Sequence, residues 1–173
     1  MLSRIKRILK HRWLDENATH RAIPPDMLQR LQQRVAASEQ RHSGEIRIYI
    51  EASLPLSYLW RDASTRDITR QRALAMFSKL RVWDTANNNG VLIYLLLAEH
   101  SIELVADRGL NDVVAPQIWQ TLVSRMRNAF QQGQFEDGLT QALEEVSALL
   151  VQHYPLAAGA RNPNELPNAP VLN

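Results

Sequence analysis

The longest apolar segment of the chain is the feature that most constrains its fold. Residues 91–98 carry only aliphatic side chains, one tyrosine and one alanine. Such a segment is typical of a strand that is buried on both faces of a sheet. A helix that crosses a membrane needs about 20 apolar residues, so this segment is too short to span a bilayer. We therefore expect it to form the central strand of an α/β protein.

Two further strands are predicted next to the central one. Residues 45–51 alternate isoleucine with polar or amphipathic residues, which is the period-two pattern of a strand. A helical segment at 62–80 joins this strand to residues 91–97, so the two strands should be parallel with a right-handed crossover. Residues 102–106 follow the central strand after a short reversal, which predicts an antiparallel hairpin.

The helical segments complete the predicted fold class. Apolar residues recur at helical spacing after Pro24 and Pro25, through 62–80, from Ile118 to Phe130, and from Phe135 to Leu150. The order α-β-α-β-β-α-α predicts a three-layer α/β/α sandwich around a small mixed sheet. We divide the chain into a basic N-terminal arm at 1–22, an α/β domain at 23–154 and a flexible Pro- and Asn-rich tail at 155–173.

The N-terminal arm concentrates positive charge. The whole chain has a formal charge of +2. The first twelve residues hold no acid and five basic side chains, which are Arg4, Lys6, Arg7, Lys10 and Arg12. The remaining residues therefore carry a formal charge of −3. Two interpretations stay open, a frayed or locally docked arm and a short amphipathic helix on an anionic membrane. Because the arm lacks the apolar stretch of an export signal, we expect a cytoplasmic protein, peripheral at the inner membrane if the second interpretation holds.

Composition and motifs exclude several kinds of chemistry. The chain has no cysteine, and its five histidines form no HxH or HxxxH pair, which argues against thiol catalysis and transition-metal sites. Phosphate-binding loops, dinucleotide fingerprints and serine-hydrolase elbows are absent from the sequence. The net-acidic body also argues against nucleic-acid binding.

One end of the predicted sheet collects the residues that are able to carry function. Since strand 102–106 runs opposite to the other two strands, the segments before 45, before 91 and after 106 should meet. They contribute two turn glycines, Gly90 and Gly109, and a set of oxygen-bearing candidates: Glu45, Asp84, Asn88, Asn89, Asp107 and Asp112. Carboxylate and amide oxygens suit Ca²⁺ or Mg²⁺. The alternative is that these residues serve turns, helix caps and surface ion pairs.

A rival location lies at the opposite end of the parallel strands, where ligands bind in many open α/β sheets. It comprises residues 51–58, the loop that they begin, and Glu99 with His100. Three leucines, Leu54, Leu56 and Leu59, make this segment more typical of a surface that binds a partner than of a catalytic pocket.

Three motifs of the chain resemble the TPM domain family, which includes a thylakoid-lumen acid phosphatase and a photosystem II repair protein. They are Asn89 to Ile93, Val105 to Leu110 and Phe130 to Leu139. The chain looks most like a bacterial branch without signal peptide or membrane anchor, whose members often accompany a LemA-type membrane protein. The resemblance implies an α/β/α sandwich and, for some members, calcium binding and weak phosphatase activity. The family's glutamate after Gly-Leu is Asn111 here.

Two functions are consistent with these observations. The first is a non-catalytic accessory or interaction module in the cytoplasm, with a membrane protein or an anionic membrane surface as its partner. The alternative is a weak, divalent-metal-dependent acid phosphatase, which would be an enzyme by family resemblance only, because no nucleophile with an adjacent base is found in the sequence.

Overall fold

A four-stranded mixed sheet forms the centre of the structure, a computed structural model that describes residues 2–12 and 17–173. The strands lie in the order β3-β2-β1-β4. β2 is parallel to β1 and antiparallel to β3, and β4 is parallel to β1. The strand bounds are Ile46–Glu51 for β1, Val91–Leu96 for β2, Ser101–Ala106 for β3 and Val171–Leu172 for β4.

Helices cover both faces of this sheet. Their bounds are Leu2–Arg12 (α1), Ala18–Ala22 (α2), Pro25–Ser38 (α3), Leu56–Leu59 (α4), Thr65–Lys79 (α5), Arg108–Val113 (α6), Pro116–Gln131 (α7) and Phe135–His153 (α8). Proline stands at the start of α3 and α7, where its missing N–H costs nothing. The hydroxyl of Ser64 caps α5 by accepting from the amide of Asp67.

The central strand divides the core into two clusters. Ile93 and Leu95 of β2 face the side of α3, α7 and α8. Leu92, Tyr94 and Leu96 face the side of α5, and all six residues of β2 are buried. A strand that is apolar on both faces requires helices on both faces, so the predicted α/β/α sandwich with a mixed sheet is confirmed.

The short helices α2, α4 and α6 were not anticipated from the sequence. α4 lies in a segment predicted as a loop after Pro55, and α6 follows Asp107, whose side chain caps it. Helices of one or two turns carry too few residues for an apolar period to stand out.

The C-terminal segment differs from the sequence prediction of a flexible tail at 155–173. Asn173 N donates to Ile50 O and Ala52 N donates to Asn173 O, each at 2.9 Å, so the segment joins the sheet beside β1. Leu166 is buried against the α5-side core. The proline- and asparagine-rich composition of the segment does not predict this pairing, because the strand with which it pairs lies more than 100 residues away in the sequence. The C-terminal segment is ordered because it provides hydrogen-bond partners for backbone groups at the edge of β1.

Helix α1 docks on the α4 region through a buried cation. The guanidinium of Arg7 donates to three backbone carbonyls, those of Leu59, Arg61 and Ala63, at 2.7–3.0 Å. The His11 ring accepts from Leu54 N and contacts Glu99. The arm is therefore locally docked, as one of the two sequence interpretations has it. Met1 and residues 13–16 of the predicted arm lie outside the described residues.

None of the helices within the described ranges combines the length and apolar character that a bilayer crossing requires.

Replacing Arg7 by Met is expected to release α1. The change removes the guanidinium, which donates to three backbone carbonyls, and keeps an unbranched apolar side chain in its place. Hydrogen bonds to charged groups contribute about 1.5–3 kcal/mol each. We expect amide hydrogen exchange in α1 and at 59–63 to accelerate at least tenfold. The exposed neighbour Lys6→Met serves as the matched control and should exchange like the wild type. Equal exchange in all three proteins would contradict the docking contact.

Candidate functional site

The three segments predicted to converge do meet at one end of the sheet. Val91 N donates to Glu45 O at 2.8 Å, and Asp107 N donates to Gly90 O at 2.9 Å. Gly109 N donates to Asn88 O at 2.9 Å. This end, called the turn end below, therefore contains the start of β1, the loop before β2 and the first turn of α6.

Close backbone approach explains the two glycines of the turn end. A Cβ at Gly109 would lie 2.7 Å from the carbonyl oxygens of both Asn87 and Asn88, and a Cβ at Gly90 would overlap Val82 O. Asn88 itself has a left-handed backbone, with φ of 50°, which asparagine tolerates better than most residues. The two glycines thus allow the loop before β2 to pack closely against the start of α6 and of β2.

Most candidate oxygens at the turn end already have protein partners. The carboxylate of Glu45 is buried and accepts from Glu165 N and Leu166 N, each at 3.1 Å. Asp84 forms an ion pair with Arg81 at 2.6 Å. The Asn88 side-chain oxygen accepts from the Arg108 guanidinium at 2.7 Å.

Asn89 and Asp112 are separated by their environments. Asn89 is buried; its backbone amide donates to the Thr85 hydroxyl and its side-chain amide donates to Ser43. Asp112 is exposed on the last turn of α6. Asn89 is therefore part of the loop's internal bonding, whereas Asp112 faces solvent.

Asp107 is the candidate whose bonding is incomplete. It is buried, and its Oδ1 accepts from Arg108 N at 2.7 Å as the cap of α6. Its Oδ2 is buried without a hydrogen-bond partner among the described residues. No group of three or more acidic, histidine or cysteine side chains in the described ranges is placed to hold a metal ion. The calcium or magnesium site stays a prediction, with Asp107 as its best-placed oxygen.

A buried glutamate that the sequence does not single out lies beside Glu45. Glu39 follows α3, and its Oε1 accepts from Ile46 N at 3.1 Å. Burial raises the pKa of Glu39 to about 8, and the nearby carboxylate of Glu45 raises it further against the lowering effect of the Ile46 amide. Burial also raises the pKa of Glu45. The position of Glu39 after a helix predicts a solvated residue, because nothing local reveals that β1 and the C-terminal segment cover it.

The raised pKa of Glu39 predicts a pH-dependent stability. The pKa of Glu39 is 4.5 in the unfolded chain and about 8 in the folded protein. Between these pH values the folded state binds more protons than the unfolded state, so the contribution of Glu39 to the free energy of unfolding falls as pH rises. Glu39→Gln keeps the oxygen that accepts from Ile46 N. Relative to wild type, it should gain ~1 kcal/mol or more in the free energy of unfolding between pH 5 and pH 8. Urea unfolding at both pH values measures this.

The exposed Glu144→Gln is the matched control for that experiment and should show no such pH-dependent gain. If Glu39→Gln and Glu144→Gln change stability equally at the two pH values, the proton is not retained on Glu39.

The rival location at the other end of β1 holds a buried ion pair. Glu51 is fully buried and accepts two bonds from the Arg72 guanidinium, at 2.5 and 2.9 Å. Tyr94 Oη and Asn173 Nδ2 also donate to it, at 2.7 and 3.1 Å. These donors satisfy the oxygens of a carboxylate that is closed to solvent. We assign this cluster to the structure of the sheet, where it ties β1, β2, α5 and the C-terminal segment together.

Helices α1 and α4 expose large apolar side chains on two packed elements. The exposed fractions are 49% for Ile5, 52% for Leu9, 66% for Leu56 and 62% for Trp60. We call these four residues the α1–α4 surface.

The basic residues that the sequence singles out in α1 differ in their environments. Arg7 is buried, and Arg4 pairs with Asp62. Lys6 and Arg12 are exposed, and Lys10 pairs with Glu99 while remaining half exposed.

Comparison with known proteins adds two positive findings. The TPM domain family matches residues 18–149. The NMR structure of the BA42 protein from the psychrophilic bacterium Bizionia argentinensis is similar, with a TM-score of 0.73 and 26% sequence identity over 87% of this chain and 95% of that one. No curated protein matches the sequence significantly. The residues that match the TPM family include strands β1 to β3 and helices α2 to α7 in full. They include α8 up to residue 149, and they leave out α1 and β4.

Proposed function

From the premise that the chain belongs to the TPM domain family, we propose that it is a non-catalytic accessory domain that binds an anionic membrane surface through its α1–α4 surface. The observation that carries the proposal is the exposure of Ile5, Leu9, Leu56 and Trp60 on two elements that pack together. Apolar side chains that are exposed near one another on a protein surface often mark a site that binds a partner or a membrane.

The charges near this surface suit an anionic bilayer. Lys6 and Arg12 are exposed on α1, and Arg61 follows α4 directly, with its guanidinium stacked on Tyr58. Each such cation contributes about 1 kcal/mol near a membrane with anionic lipid. The apolar side chains enter the interface beside them, as in amphipathic helices that lie on membranes. Trp60 is a residue that prefers this boundary.

Docking by Arg7 fixes the orientation of the surface. Because the buried side of α1 is held by Arg7 and His11, the exposed side cannot turn inward to hide Ile5 and Leu9. The helix therefore need not fold on the membrane, which spares the ordering cost that a disordered arm would have. Anionic lipid faces the cytoplasm in most cells, and we place the protein there.

Removing the apolar or basic groups should weaken membrane binding. We expect Ile5→Ser combined with Leu9→Ser, Trp60→Ala, and Lys6→Glu combined with Arg12→Glu each to lower affinity for vesicles containing phosphatidylglycerol at least ~10-fold. Co-sedimentation with those vesicles measures the change. Added salt should weaken the wild type more than the Lys6→Glu, Arg12→Glu protein.

The matched control is Leu74→Ser, which removes from α5 an apolar side chain that is 46% exposed, close to the values for Ile5 and Leu9. It should bind like the wild type. Equal binding by the control and by the α1–α4 variants, or binding to pure phosphatidylcholine as tight as to anionic vesicles, would contradict the proposal.

A second candidate function rests on the unpartnered oxygen of Asp107. A buried carboxylate oxygen without a donor is a group that a hard cation satisfies. This supports the alternative of a divalent-metal-dependent phosphomonoesterase with its metal at the turn end. Asp112 and the carbonyls of Asn87 and Asn88 lie on the neighbouring turns of that end.

A titration with Ca²⁺ or Mg²⁺ followed by NMR tests this alternative. We expect amide shifts confined to 84–90 and 107–112, and an affinity at least ~10-fold weaker in Asp107→Asn, which keeps the helix cap but loses the charge. Hydrolysis of p-nitrophenyl phosphate with metal and with EDTA then reports activity. The exposed Asp137→Asn is the control. Shifts that are absent, or identical in Asp107→Asn, would remove the metal site.

A further inference from the structure

We propose that the open edge of β3 binds an extended, acidic segment of a partner protein, which adds to the sheet as a further strand. This surface differs from the α1–α4 surface, and the inference does not rest on membrane binding. β3 is an edge strand, because the sheet order is β3-β2-β1-β4. The other edge of the sheet is occupied by the C-terminal strand β4, whereas no strand covers β3 in the described ranges.

The hydrogen-bond register identifies which backbone groups of β3 face outward. Asp107 N donates to Gly90 O, and in an antiparallel pair the groups of every second residue point to the same side. The N–H and C=O groups of Ile102, Leu104 and Ala106 therefore point away from β2. Two of these carbonyls have donors from side chains, since Arg70 bonds to Leu104 O and Asn111 bonds to Ala106 O. The three amides and the carbonyl of Ile102 remain for a partner strand.

A groove of about 950 Å³ runs along this edge. Residues of α5 form one wall and residues of α7 form the other, including Thr69 and Val123. β3 has six residues, so the edge is about 20 Å long at about 3.4 Å per residue. A strand between two helical walls is the arrangement that proteins use to bind an extended peptide by β-augmentation.

The charges of the walls favour an acidic occupant. Arg66 on α5 and Arg127 on α7 are exposed and line the groove, and neither has an ion pair within the described part of the chain. Two acids of the groove are paired with cations, Glu103 with Arg70 and Glu99 with Lys10, whereas Asp67 bonds to the neutral hydroxyl of Ser64. Acidic side chains of an added strand would therefore meet Arg127 on one wall and Arg66, which also lies near Glu103, on the other.

A labelled peptide in which glutamate alternates with valine is a suitable probe. We expect fluorescence polarisation to show binding to the full chain, and NMR shifts to centre on the amides of Ile102, Leu104 and Ala106. The peptide with lysine in place of glutamate, and the glutamate peptide with methylated backbone nitrogens, should bind at least ~10-fold more weakly. Arg66→Glu combined with Arg127→Glu should weaken binding about tenfold, whereas the exposed Arg161→Glu should not.

Ala106→Pro tests the edge itself. The Ala106 amide points away from β2, so proline removes a group offered to the partner without removing a bond of the sheet. It should weaken the glutamate peptide while leaving thermal unfolding near the wild-type midpoint. If this variant fails to fold, the methylated peptide decides the same point on the wild-type chain.

Four results would overturn the proposal. One is the absence of binding by the glutamate peptide at millimolar concentration. A second is equal binding of the methylated and unmethylated peptides, and a third is a set of NMR shifts centred elsewhere than on β3. The fourth is a dimer in sedimentation velocity that dissociates on Arg66→Glu combined with Arg127→Glu, because the edge would then belong to a second copy of the chain.

Discussion

Burial of β2 on both faces is the constraint on which the rest of the structure depends. A strand with six buried residues needs a helical layer above and below it, and α5 on one side and α3, α7 and α8 on the other provide these layers. The same constraint makes β1 a parallel neighbour, because α5 carries the chain back across the sheet. The unpaired backbone groups of the sheet lie along its two edges.

The chain treats its two edges differently. At β1, the C-terminal segment adds β4, and Glu45, Glu51 and Arg47 are buried beneath it with backbone or side-chain partners from that segment. At β3, two side chains from the described part of the chain, Arg70 and Asn111, reach the outward carbonyls. Buried Glu45 and Glu51 therefore serve the covered edge, whereas the open edge keeps exposed arginines on both walls. This division is why we assign structure to one edge and recognition to the other.

Much of the fold is readable from the sequence, and particular residues show where this ends. The apolar run at 91–98, the alternation at 45–51 and the short reversal before 102 are local patterns, and they predict three of the strands and their directions. The meeting of the turn segments follows from those directions. Partners of single side chains do not follow, since Glu45 is bonded by amides near residue 165 and Arg7 by carbonyls near residue 60. Such contacts depend on distant segments whose own sequence has no periodic signal.

The central claim is that α1 is held on the fold so that Ile5 and Leu9, together with Leu56 and Trp60, face an anionic membrane. NMR of the full chain on phosphatidylglycerol-containing bicelles with a spin-labelled lipid tests it most directly. The account predicts strong broadening of the amide signals of these four residues and sharp signals for Ile102 and Leu104 in β3. Uniform broadening, or broadening centred on β3 while α1 stays sharp, would contradict it.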